Sequence, residues 1–422
     1  MRIEILDKLE SRIGREAREE LSSFLDTYNE GVYIWLAGLY EPSLGGFYYS
    51  NSAKYTEGYL PDLESTMQAL RLVQCTGLLS ARGRTLRDSL PEKMRISVAS
   101  FVQGLQSPED GYFYHPQWGR RIGVPRRSRD NTWGLKLLEE LGYSPLYPTA
   151  LERLSGSEKP LTAPAHLRSL KAFKEYLAEF DLENKSYSTG NILQAQATQI
   201  KVAGKEYVDA LFDWLNSERK QNGLWENEIN YASVNGLMKL MMIYVICERP
   251  LPNALAALNA ATSVAISKEP ITFCCQYYNP LVAINMILNN MKQYGSADDS
   301  ARCRERILDN AAELIRVTRR KVSLCLKPDG SFSYNTDMTA ARSQGAPTAL
   351  ENTNEGDINA TQISIVGALD QVFALLGYDS TPIFSREDSE LFFELLESRV
   401  SEEKINPRPD FINKTLAGYK II

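Results

Sequence analysis

The chain has 422 residues, 43% hydrophobic and 24% charged, and 53 acidic against 47 basic side chains give a net charge of −6. This is an ordinary globular composition. With a sequence pI near 5.4 it excludes a general nucleic-acid or membrane-surface binder, so any anion site must be local. The length admits two or three average domains or one large toroid.

In chain order, "MRIEILDKLESRIGREAREEL" reads as a charged amphipathic helix without the apolar core of a signal peptide, and no run of 18 apolar residues follows. A cytoplasmic protein without a membrane span is expected. The six cysteines (Cys75, Cys247, Cys274, Cys275, Cys303, Cys325) lack C-x-x-C spacing and read as reduced, buried thiols. Two histidines, His115 and His166, are too few for a Cys/His zinc site, so neither metal nor cofactor is expected.

Helical spacing of apolar residues then recurs in "STMQALRLVQCTGLL", "NTWGLKLLEELG", "SVNGLMKLMMIYVI", "LVAINMILNNM" and "TQISIVGALDQVFALLG", with almost no alternating strand pattern. Two motifs punctuate these helices. A glycine followed by aromatics occurs as "GGFYY" at 45, "DGYFY" at 110, "NGLWE" at 222 and "DGSFSY" at 329. An acidic helix start occurs as "DLEST" at 62, "RDNTW" at 129, "EINYAS" at 228 and "DINAT" at 357. The spacings 130 − 62 = 68 and 357 − 228 = 129 suggest a unit of roughly 65 residues, one helical hairpin and a loop. "STGNILQAQATQIKVAG" and "ITFCCQYYNPLVAINMIL" supply degenerate units. Asp62, Asp130, Glu228 and Asp357 are expected to cap inner helices. Since one hairpin cannot bury its apolar face, five or six must stack. The expectation is an all-α, closed α/α toroid forming one domain over 1–422, with a loop excursion around 142–166.

"QSPEDGYF", "QNGLW" and "KPDGSF" resemble the Gly-aromatic turns of the terpenoid cyclase and protein prenyltransferase toroids, and "DINATQISIVGAL" is similar to the zinc-site helix of prenyltransferase beta subunits. The resemblance implies the toroid architecture. Its chemistry is not retained: Ala360 stands where the prenyltransferase helix has histidine. In "DLESTM" Glu64 takes the middle place of a cyclase D-x-D-D-T-A element, but Ser65 replaces the last aspartate.

Five arginines in ten positions (Arg120, Arg121, Arg126, Arg127, Arg129) follow Tyr112, Phe113, Tyr114, His115 and Trp118. Either they hold an anion by bidentate guanidinium bonds or they form a solvated face. Neighbouring cations would keep His115 neutral and basic. Tyrosines beside Asn, Asp and Arg suit sugar rings. The leading reading is therefore an enzyme on an anionic carbohydrate. As a lyase, Arg126 or Arg129 with Asn131 would neutralise a uronate, and His115 or a tyrosine such as Tyr231 would take the proton. As a hydrolase, Glu64 with Asp130 or Asp357 would be acid and base. Trp118, Arg127, Glu226, Asn230, Tyr334 and Asn359 would bind substrate. Two rivals remain open: a cyclase-like enzyme using Glu64 or Asp62 as acid, and a non-enzymatic toroid that holds a glycan or peptide.

Overall fold

The four Gly-aromatic segments adopt one shared turn in the computed structural model, which describes residues 2–155, 164–379 and 382–402. Gly45, Gly111, Gly223 and Gly330 all sit at φ between +77° and +85°, a left-handed conformation that favours glycine. Each turn presses on a neighbouring backbone. A Cβ on Gly223 would come within 2.2 Å of the Ala257 nitrogen, and one on Gly111 within 2.3 Å of the Pro148 carbonyl.

At two places the turn is bolted to the acidic helix start. Phe47 N–H donates to Thr66 Oγ1 at 3.0 Å, and Phe332 N–H donates to Thr361 Oγ1 at 3.0 Å. Asp62 and Asp357 cap their helices by accepting from Ser65 N–H and Ala360 N–H. The two units also meet: Ile358 N–H donates to the Tyr49 carbonyl at 3.0 Å. The other two starts differ from expectation. Asn230, not Glu228, caps the Tyr231–Ile246 helix, in a reciprocal box with Ser233. Asp130 caps nothing. Pro125, whose fixed φ suits a first helical turn, starts that helix at Val124, so Asp130 is interior to Val124–Leu141.

Helix accounts for 63% of the structure, and among the described residues strands are confined to two-residue pairs. The protein is all-α. Six long segments pack in succession: Val124–Leu141 on Leu63–Cys75, then Ile358–Leu376, Cys275–Tyr294, Tyr231–Ile246 and Leu182–Ala203. The last includes one of the degenerate units read from the sequence except its final Gly204, and Cys275–Tyr294 holds the other from Cys275 onward. A second set backs them, with Glu92–Gly104 on Val124–Leu141, Lys205–Ser217 on Leu182–Ala203, and Ala254–Ala265 on Cys275–Tyr294. One contiguous apolar core runs from Leu6 to Val400.

Ile358–Leu376 is long and apolar enough to cross a membrane, but 67% of its most apolar window is buried in this core. Its middle, Ile363–Leu369, widens into a π-helix. There the Tyr28 hydroxyl donates to the Ser364 carbonyl at 2.8 Å, satisfying an acceptor that the widened ladder would otherwise strand. Of the 142–166 excursion, Ala150–Ser155 is a short helix and Ala165–Leu167 a single 3-10 turn; 156–163 lie outside the described residues.

Candidate functional site

Helical spacing stacks Arg126 directly beneath Asp130, and the packing of Val124–Leu141 on Leu63–Cys75 drives that pair into the acidic start "DLEST". The result is a fully buried guanidinium ringed by carboxylates. Arg126 Nη2 lies 2.6 Å from Asp62 Oδ1, Nη1 is 3.1 Å from Glu64 Oε2, and Nε is 2.9 Å from Asp130 Oδ1. Arg126 has no exposed surface, and Asp62, Glu64 and Asp130 are at most 3% exposed. A cation site among three acids is thus filled by the protein's own arginine. Among the described residues no group of three or more His, Cys, Asp or Glu side chains is placed to hold a metal.

Trp118 covers this cluster. Its ring lies 4.8 Å from the Arg126 guanidinium carbon and stacks on His115 with centroids 3.9 Å apart. His115 is therefore a wall of the cluster and is not presented at an opening. It is 3% exposed, Nε2–H donates to the Pro61 carbonyl at 2.9 Å, and Nδ1 accepts from Gln117 N–H. Burial above all lowers its pKa to about 4, with Arg126 contributing least. Burial, more than the arginines, favours a neutral imidazole, and both ring nitrogens are occupied.

Burial raises Asp130 to about 7, aided by Asp62 and Glu64 and opposed by Arg126, and it raises Asp357 to about 6. Asp357 is completely enclosed and accepts from Ala360 N–H, Tyr334 N–H and the Thr339 hydroxyl. A raised carboxyl pKa means the folded state holds its proton more tightly than the unfolded chain. That stabilisation is complete below the unfolded value near 4 and is lost as pH rises through the folded value. The Asp130→Asn variant keeps a neutral side chain at all pH. Between pH 5 and 8, wild type should therefore lose denaturation midpoint relative to Asp130→Asn, and parallel pH profiles would contradict this.

The arginines divide by role. Arg120 pairs with Glu109 at 2.8 Å, Arg126 is the buried hub, and Arg127 lies over the Tyr112 ring at 5.3 Å. Arg129 Nη1 bonds Glu64 Oε1 at 2.5 Å while 41% of its side chain stays exposed. Only part of the run is thus open to a ligand, and Arg126 is not. Asn131 is half-buried with its side-chain oxygen unpartnered. Beyond Trp118 lies a cleft of about 490 Å3, walled by Tyr59, Trp118, Arg121 and Arg342, with Glu57 at one side. Among the described residues Arg121 makes no ion pair, and Arg342 bonds only the Gly345 carbonyl, at 3.3 Å.

Other expected residues make contacts of their own. Asn359 Oδ1 accepts from Gln68 Nε2 at 3.0 Å, and the same nitrogen reaches Glu64 at 3.4 Å. Tyr334 stacks on Phe273, which meets Tyr231 edge-on. The Tyr231 hydroxyl accepts from Asn279, and burial raises the pKa of both tyrosines. Glu226 and Asn230 are engaged elsewhere, Glu226 with the Ser186 hydroxyl at 2.5 Å and Asn230 at its cap.

Two groups at the heart of this region escaped sequence reading. Cys275 is partly exposed, as is Cys75, whereas the other four thiols are buried as expected. Lys239, on the Tyr231–Ile246 helix, acts on it electrostatically. Their signal is a polar stripe, Tyr231, Asn235 and Lys239 at i, i+4 and i+8 in an otherwise apolar helix. No family model, no curated protein and no solved structure matches the chain.

Proposed function

We propose that the chain is an α/α toroid that holds an anionic carbohydrate in the Trp118 cleft. The single observation that carries this is the pairing, in one cleft, of two aromatic walls with two guanidinium groups that make no ion pair among the described residues. Flat aromatic faces suit sugar rings, and an unspent guanidinium favours a carboxylate or sulfate. Closure into a toroid is supported by the succession of inner helices, each backed by a second layer, and by the shared Gly-aromatic turn.

Holding is favoured over turnover. Glu64 is clasped by two guanidiniums, Asp130 and Asp357 are buried with their own donors, and both His115 nitrogens are bonded. None of these four is free to meet a sugar. The same engagement of Glu64 disfavours a cyclase acid at that position. Among the catalytic candidates Tyr231 alone stands at a partly exposed place, and its raised pKa makes it a poor base.

The test is calorimetric titration with uronate-bearing, sulfated and neutral oligosaccharides. Anionic members should bind, more weakly as salt rises. Arg121→Ala should cost about 1.5–3 kcal/mol if it gives one charged hydrogen bond. Equal binding of neutral and anionic sugars, or an Arg121→Ala variant with wild-type affinity, would remove the cleft from this role.

A further inference from the structure

Cys275 opens the twenty-residue helix Cys275–Tyr294, where free N–H groups and the helix dipole favour a negative sulfur. Its position is fixed from behind, because Cys274 N–H donates to the Tyr334 carbonyl at 2.8 Å and Phe273 bridges Asn335. Cys275 Sγ lies 3.5 Å from the Tyr334 hydroxyl. Lys239 and Arg129 reach it electrostatically from two other helices. Of the six thiols, five are pushed up by burial; Cys275 alone is held below the ordinary thiol range, to about 7. The first cause is the hydrogen bond from the Cys274 thiol; burial opposes it, and the Tyr334 hydroxyl and the charges of Lys239 and Arg129 lower the value further.

The two cations that act on Cys275 are only partly spent, which favours an anion, and a buried acceptor linked to Arg129 through Glu64 still lacks a donor. Among the described residues Lys239 makes no ion pair, and its ammonium stands 5.8 Å over the Tyr187 ring. Arg129 spends one nitrogen on Glu64 and remains 41% exposed. Gln68, only 3% exposed, belongs to the same set of side chains through Glu64 and Asn359, and its carbonyl oxygen has no donor. A buried polar atom without a partner asks for a ligand or an ordered water.

We propose that Cys275 is a nucleophilic thiol that forms a covalent bond with a small anionic electrophile, drawn in by Lys239 and Arg129. The sulfur attacks the electrophilic carbon as its thiolate, and its proton goes to water. The S–C bond forms as the bond from carbon to the leaving group breaks, and the leaving group departs with the electron pair. The Tyr334 hydroxyl lies beside the attacking sulfur. This site is separate from the Trp118 cleft, so either can fail without the other.

Iodoacetate, an anionic alkylating agent that loses iodide, is compared with neutral iodoacetamide at pH 7, and labelled peptides are mapped by mass spectrometry over time. Cys275 should be carboxymethylated at least about ten-fold faster than Cys75, the other partly exposed thiol, because its thiolate fraction is higher. Iodoacetate should also outpace iodoacetamide at Cys275. Lys239→Gln, checked for fold by circular dichroism, should remove that anionic preference, and so should 1 M salt acting on the unaltered protein. Arg121→Ala, in the cleft, should leave labelling unchanged. Equal rates at Cys75 and Cys275, a faster reaction with iodoacetamide, or an iodoacetate preference that survives both Lys239→Gln and salt would overturn the proposal.

Discussion

Arg126→Leu should destabilise the protein by about 3–5 kcal/mol, the usual cost of removing one partner from a buried ion pair. Asp62, Glu64 and Asp130 all lie against this guanidinium with almost no access to water. Without it, three carboxylates face one another in a low-dielectric interior, and only Arg129 remains beside Glu64. Leucine fills most of the volume, so the loss reports charge more than packing. The charge origin has its own signature: lowering the pH protonates the acids and should shrink the deficit, and adding Asp130→Asn should recover part of it. Urea denaturation of the three proteins at pH 5 and pH 8 measures this. A deficit below about 1 kcal/mol, or one that does not move with pH, would mean that water reaches the cluster and screens it.

The second large effect is at a turn. Gly223→Ala should cost roughly 2–5 kcal/mol, the sum of about 1–2 for a side chain held in the left-handed region and about 1–3 for forcing a methyl into packed atoms. Its φ is +80°, and the new Cβ would meet the Ala257 nitrogen and Cα at 2.2 and 2.7 Å. Those atoms belong to the Ala254–Ala265 helix and cannot swing aside as a flexible side chain would. Gly119 is the control. It has a comparable φ of +59° but nothing within 4 Å of where a Cβ would stand, so Gly119→Ala should show the conformational part alone, about 1–2 kcal/mol. Equal losses at the two glycines, in thermal or urea unfolding, would show that the turn does not brace the neighbouring helix.

Part of this molecule was legible in its residues. The helix class followed from apolar spacing, because a core-facing helix has to repeat every three to four residues whatever its neighbours are. The glycine of each aromatic turn was legible for a similarly local reason: a left-handed φ selects glycine before any tertiary contact is made. Two of the four acidic helix starts were as well, since an N-cap aspartate acts on N–H groups only two or three residues away. Asp130 marks where locality ended. It matches the motif, but Pro125 upstream of it started the helix earlier and moved the aspartate into its interior.

What each arginine does was decided by tertiary structure alone. Arg126, Arg127 and Arg129 are near neighbours in one helix, yet one is buried, one lies on a tyrosine and one faces an opening. Successive helical positions point about 100° apart, so the packing partner of each face sets its fate. For Arg126 that partner is an acidic helix start 64 residues away in sequence. Cys275 shows the same limit from the other side. Within "FCCQYY" it looks like any buried thiol; the Cys274 thiol beside it is local, but the charges of Lys239 and Arg129 and the hydroxyl of Tyr334 come from three other segments. Spacing along the chain carries information about one face of one helix; electrostatics at a site depend on which faces meet, and that is a property of the packed whole.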